Sequence, residues 1–160
     1  MSAPANTLLA WHYSTADRLQ SIQRSGLILP ASAGIPATER PVSWFSLHPR
    51  FEPTAAKGLV DRATGKRRTA TIAEMIDLGG GLVRFGIHAR ELLTGEALRR
   101  KARISNAAWR QLCATGTQCG ANPSHWFGLI GPMELARCEV QHFDPSTGTW
   151  ASAASKGGTV

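Results

Sequence analysis

Leu8-Leu9-Ala10-Trp11-His12-Tyr13, followed at once by Ser14-Thr15-Ala16-Asp17, is the stretch on which the fold turns. Its apolar and aromatic run predicts a short buried strand. The hydroxyls and the acid behind it predict a helix start. A hydroxyl oxygen there can satisfy free N–H groups, and an acid in the first turn suits the helix dipole. Leu19 and Ile22 lie three apart on one helical face, and Gly26 supplies the left-handed residue that ends a helix. Leu27-Ile28-Leu29 then reads as a second extended segment, closed by Pro30. The chain therefore opens strand, helix, strand, with a histidine inside the first strand.

Downstream, residues 30–41 are rich in Pro, Ala and Gly and predict a loop. Pro41-Val42-Ser43-Trp44-Phe45-Ser46 predicts a strand with proline only at its mouth. His48-Pro49-Arg50 breaks it, and residues 52–57 open a short helix with Pro53 at an early position. Residues 57–71 are the most basic stretch, with Ala63-Thr64-Gly65 as a turn, which predicts a basic loop or hairpin. Residues 71–78 fit helix or strand, and 82–87 fit a strand. Residues 91–100 and 105–114 fit helices, the latter capped by Ser105 or Asn106, and 116–124 a loop. Trp126 to Ile130 is apolar, and 135–143 predicts a late strand. Short strands mixed with short helices, without regular βαβ spacing, predict an α+β domain. Its expected limits are 8–150, between a flexible N-terminus at 1–7 and a flexible tail at 151–160.

The chain has 160 residues, with 18 Lys+Arg against 11 Asp+Glu, a net charge of +7. That balance favours an anionic partner: nucleic acid, a phosphorylated ligand or a dinucleotide. At 42% hydrophobic and 18% charged the composition is globular rather than disordered. No apolar run approaches the ~18 residues of a membrane span. Residues 1–7 lack the pattern of a signal peptide, so the expected location is cytoplasmic. Cys113, Cys119 and Cys138 are an odd set without CxxC spacing, which excludes a secreted disulfide framework. Cys113 and Cys119 with His125 come nearest to a zinc set, but the spacing is wide, and no metal is expected. Gly79-Gly80-Gly81 lacks the spacing of a phosphate-binding loop. GxSxG and HExxH are both absent from the sequence.

Three short motifs stand out together: Trp11-His12-Tyr13-Ser14, then Ile22 through Gly26-Leu27, then Trp44-Phe45-Ser46. The set resembles the core of the ADP-ribosyltransferase fold, in its diphtheria-toxin-like and poly-ADP-ribose-polymerase-like branch. It covers residues 8–56. The resemblance implies a split, mainly antiparallel sheet with short flanking helices, and NAD as substrate. By it, His12 and Ser14 meet ribose hydroxyls, and Trp44 or Phe45, with Tyr13 in reserve, stacks on nicotinamide. Ser46 orients that wall or its carboxylate, while Arg18, Arg24 and Arg50 lie near enough in sequence to meet the pyrophosphate.

The reaction so implied opens a glycosidic bond through an oxocarbenium-like state, which a carboxylate steadies electrostatically. The preferred acid is Glu134, before the late strand, with Glu52 and Glu139 as the alternatives. Tyr13 departs from the family pattern, which places a small residue after the histidine. Trp44 and Phe45 point to opposite faces of one strand, so one of them belongs to the core. Lys66, Arg67 and Arg68 are the candidates for contact with a nucleic acid or another acceptor. A small basic transferase of this kind suits a toxin or effector. The competing expectations are a non-catalytic nucleotide-binding or ADP-ribose-binding module on the same fold, and a protein whose basic loop acts on nucleic acid.

Overall fold

The computed structural model describes residues 8–152. β1 (Leu9–Thr15) runs directly into α1 (Ala16–Ser25). Thr15 occupies the cap position, but its hydroxyl donates to the Asp17 carboxylate instead of capping a backbone N–H. Gly26, at φ 69°, turns the chain out of α1, and its N–H donates to the Ile22 carbonyl at 2.8 Å. There follow β2 (Leu27–Ile28), β3 (Val42–Ser46), and a hairpin of β4 (Gly58–Val60) and β5 (Arg67–Thr69). Residues 72–79 resolve as a helix, α2 (Ile72–Gly79), because Thr71 and Glu74 form a reciprocal capping box at its start. β6 (Leu82–His88), β7 (Leu93–Thr94), α3 (Gly95–Lys101) and α4 (Asn106–Gln118) come next. The chain ends with β8 (Trp126–Ile130), β9 (Met133–Glu134), β10 (Glu139–Asp144) and β11 (Thr149–Ser152).

Several boundaries differ from expectation. α4 runs on to Gln118, through a segment expected to be loop. The helix expected over 91–100 is a single 3-10 turn, then β7, then α3. The late strand starts only at Glu139, since Leu135–Arg137 forms a 3-10 turn. Ala151 and Ser152, expected in a flexible tail, pair with His142 and Gln141, so ordered structure passes residue 150. Residues 1–7 and 153–160, the remainder of the two expected flexible ends, lie outside the described residues.

The fold is α+β, built on a seven-stranded antiparallel sheet in the order β11-β10-β6-β1-β3-β8-β7. β6, the central partner of β1, is buried along six consecutive positions, so both of its faces are covered. Leu19 and Ile22 of α1 pack on one face, against the cluster of Ala10, Phe45, Phe85 and Met133. α2 and the hairpin cover the other, over Trp11, Tyr13, Phe51 and Leu82. Leu98 and Ala102 of α3 pack with Val42 at the β8 end.

The sheet is split between β1 and β3. β1 and β6 share seven register pairs and β3 and β8 share five, but β1 and β3 share one, Trp11 with Ser46. Side chains of the first half fasten the seam to carbonyls of the β3 segment. His12 Nδ1–H donates to Trp44 O at 2.8 Å, and the Tyr13 hydroxyl donates to His48 O. Arg84 Nη1 donates to Pro49 O and Trp150 Nε1 to Arg50 O, each at 2.8 Å.

Candidate active site

A cavity of about 500 Å³ opens at this seam. Trp11, His12 and Tyr13 of β1 and Trp44, Phe45 and Ser46 of β3 line one side. The chain leaving β3 supplies Glu52, Thr54 and Ala56, while Leu112, Gly116 and Cys119 reach in from α4 and its C-terminal end. Trp126 of β8 lies against Gly116, where an added Cβ would fall 2.4 Å from the indole, so the helix approaches the ring only because that residue is glycine.

His12 is half-buried, with its ring 5.7 Å from Phe45 and 6.2 Å from Phe85. Burial holds its pKa below the ordinary value, the bond to the Trp44 carbonyl opposes that, and the charge of Arg18 lowers it further. The neutral ring that results carries its proton on Nδ1, because the Trp44 carbonyl can only accept. Nε2 is then a lone-pair acceptor without a protein partner among the described residues, ready for a hydroxyl donor.

Glu52 is 7% exposed. The turn after β3 folds its carboxylate back beneath the seam. Ser46 Oγ donates to Oε2 at 2.6 Å. Oε1 receives Thr54 Oγ1 at 2.7 Å, Trp126 Nε1 at 3.2 Å and Thr54 N at 3.4 Å. Among the described residues no Lys, Arg or His forms an ion pair with it. A carboxylate fixed by neutral donors alone keeps its field for whatever enters the cavity.

Trp44 and Phe45 divide as alternation requires. Phe45 is core, 2% exposed. Trp44 is half-buried, stacked at 6.3 Å and 29° on Trp109 of α4 and edge-on to Trp126 at 6.1 Å. It is therefore the better ring of the two for a planar ligand to meet. Tyr13 is held from two sides, by the His48 carbonyl and by Arg84 Nη1 at 3.4 Å. Arg84 itself lies over Trp11 at 3.8 Å and over Trp150 at 4.6 Å, and both Nε and Nη2 donate to Gln141 Oε1. Burial lowers its pKa, and aromatic faces take the place of a carboxylate partner.

The cavity thus brings together His12, Tyr13, Trp44, Phe45 and Ser46 from the expected set. Ser14 is not among its lining residues, since it sits further along β1 opposite Val83. Glu134 is also elsewhere. It is exposed on the small β2–β9 ribbon, paired with Leu27, and the preferred acid is therefore not in the cavity. Glu139 is exposed in β10 and accepts from Gln141 and Ser152. Of the three candidate acids only Glu52 lines the cavity. Sequence reasoning left Thr54 and Trp126 out of the carboxylate's setting. Trp126 lies 74 residues from Glu52, and no local pattern could have joined them.

A second cavity of about 360 Å³ adjoins the first, sharing Pro53, Ala56, Thr69 and Cys119, with His48 and Arg50 on its wall. Arg18 and Arg24, on α1, line neither. Among the described residues no group of three or more His, Cys, Asp or Glu side chains could hold a metal ion, and no helix is long and apolar enough to cross a membrane. Comparisons with family models, curated proteins and solved structures found no match for this chain.

Proposed function

We propose that this protein is an NAD-dependent ADP-ribosyltransferase-like enzyme. It would cleave the bond between nicotinamide and ribose and pass ADP-ribose to a protein, nucleic-acid or small-molecule acceptor. One observation carries the reading: a buried carboxylate, Glu52, held by neutral donors on the wall of an aromatic cavity that His12 also lines. An aromatic wall beside an unpaired carboxylate suits a planar cation, and the nicotinamide ring of NAD is one. As the C–N bond breaks, its electron pair goes to the nicotinamide nitrogen and positive charge moves to the ribose. Glu52 would steady that charge. His12 Nε2 would accept a ribose hydroxyl and Trp44 would face the ring. The acceptor then attacks the ribose carbon and releases a proton to water.

Among the described residues no Lys or Arg lines the first cavity, so the diphosphate would lie outside it, toward Arg50 in the adjoining one. The three free thiols suit the reducing cytoplasm as the working compartment. The test is nicotinamide release from NAD by purified protein, with and without cell lysate. His12→Ala and Glu52→Gln should each abolish release while the fold is kept. Normal turnover by either folded variant would overturn the assignment.

The missing cation inside the cavity favours one other reading, a module that holds a nucleotide without cleaving it. Calorimetric binding of NAD with no nicotinamide released would establish that reading instead.

A further inference from the structure

The β4–β5 hairpin stands at the mouth of the first cavity, and its two faces differ. Gly58 and Thr69 pair with each other and line the cavity. By strand alternation Val60 and Arg67, which also pair, share that face. Leu59 and Arg68 take the opposite face, where Leu59 packs on the core and Arg68 makes a two-pronged bond to Glu74 at 2.7 Å. Arg68 is thereby committed to α2. Arg62, Lys66 and Arg67 are exposed, and none of them forms an ion pair among the described residues. Asp61, the one acid of the loop, is turned inward to accept from Ala63 N and Thr64 N.

Apolar surface accompanies these cations. Val60 is 59% exposed, and Leu112, on the α4 wall, is 39% exposed. The hairpin face that continues from Gly58 and Thr69 therefore carries a cation, Arg67, beside aliphatic Val60, while among the described residues no Lys or Arg lines the interior. Arginine also dominates the basic residues of the chain, 14 of the 18. Its planar fork matches phosphate oxygens and its flat face stacks on bases.

We propose that this hairpin docks single-stranded nucleic acid and presents it to the cavity as the acceptor. The proposal rests on the transferase reading for the acceptor role, but the docking itself does not. Arg62, Lys66 and Arg67 take backbone phosphates, and exposed Val60, paired with Arg67 across the hairpin, receives an unstacked base. An unpaired strand is required because a base inside a duplex cannot leave the stack to reach the mouth without an unpairing cost.

The test is binding of a fluorescent single-stranded oligonucleotide, read by anisotropy over a salt series without NAD. The wild type should bind, with affinity falling steeply as salt rises. Replacing Arg62, Lys66 and Arg67 together by Gln should weaken binding by about tenfold or more. It should also flatten the logarithmic salt slope by about 2, from ~0.7 per lost phosphate contact on a single strand. Arg67→Gln alone, on a surface position, gives a smaller loss in the same direction, and thermal melting checks that each variant folds. Absence of binding, a triple variant that binds like wild type, equal affinity for a duplex, or tighter binding of a polyglutamate peptide would each overturn the proposal. Oligonucleotide binding without nicotinamide release would instead sustain the docking and refute the transferase reading.

Discussion

Glu52 separates a structural role from a chemical one through two substitutions. Glu52→Ala strips the partner from Ser46 Oγ and Trp126 Nε1, which are buried, and from Thr54 Oγ1 and N, on an exposed residue that water can reach. Each buried donor left unmade costs about 1–3 kcal/mol, with water entering the cavity recovering part of the sum. A net loss of ~3–5 kcal/mol is expected. For a domain of this size that lowers the melting midpoint by about 6–20 °C, at ~2–4 °C per kcal/mol. Glu52→Gln behaves differently. Its amide oxygen can keep the three donors now on Oε1, and only the Ser46 contact must reverse, the amide N–H donating to the serine hydroxyl. The weakened bonds are offset by removing a buried charge, so the net change is ~1 kcal/mol or less. Melting by circular dichroism, run beside the nicotinamide assay, reads both quantities. The expected outcome is a near-native midpoint for Glu52→Gln with release abolished, and a large drop for Glu52→Ala. If Glu52→Gln melts as low as Glu52→Ala, the acid is a structural clamp. If it melts normally and turns over normally, the electrostatic argument fails.

Three further outcomes follow from the geometry. His12 has a folded-state pKa depressed below its unfolded 6.5, so its contribution to stability is complete above about that pH. It declines as pH falls toward the folded value, because the unfolded chain then binds the extra proton; a His12 resonance titrating above 6.5 would contradict this. Burial pushes the Cys138 thiol up to about 11, whereas Cys119 is exposed at the cavity wall. Iodoacetamide at neutral pH should modify Cys119 first, with a cavity ligand slowing it, and equal rates measured by mass spectrometry would contradict the placement. Gly86→Ala would place a Cβ 2.5 Å from the Trp11 ring, which is trapped under Arg84. Overpacking there should cost ~1–3 kcal/mol, and an unchanged melting midpoint would show that the ring can move.

Much of the frame was legible because local signals and tertiary outcome agreed. Leu8 to Tyr13 carries aliphatic and aromatic residues, Val42 to Ser46 and Leu82 to Ile87 carry β-branched and aromatic ones, and each lies within or overlaps a central strand. β7 and β9, at two residues each, have no periodicity to read. The acid was harder for a physical reason. Placing it by position before a late strand pointed to Glu134, yet a useful buried carboxylate is defined by its donors. For Glu52 these are near neighbours, Ser46 and Thr54, together with one distant indole. The Ser46 to Glu52 spacing with Pro53 behind it was the local part of that signal, and the pairing of Trp126 with Glu52 was set only when the sheet closed.

The seam between the half-sheets also fixes where the chain can vary. The four side-chain bonds across it described above end on main-chain carbonyls, those of Trp44, His48, Pro49 and Arg50. A carbonyl is present whatever the side chain, so as acceptors those positions tolerate replacement. The donors at His12, Tyr13, Arg84 and Trp150 are side chains and cannot be exchanged without opening the join. The demand this one junction makes is thereby lopsided, on the main chain at the acceptor positions and on particular side chains at the donor positions.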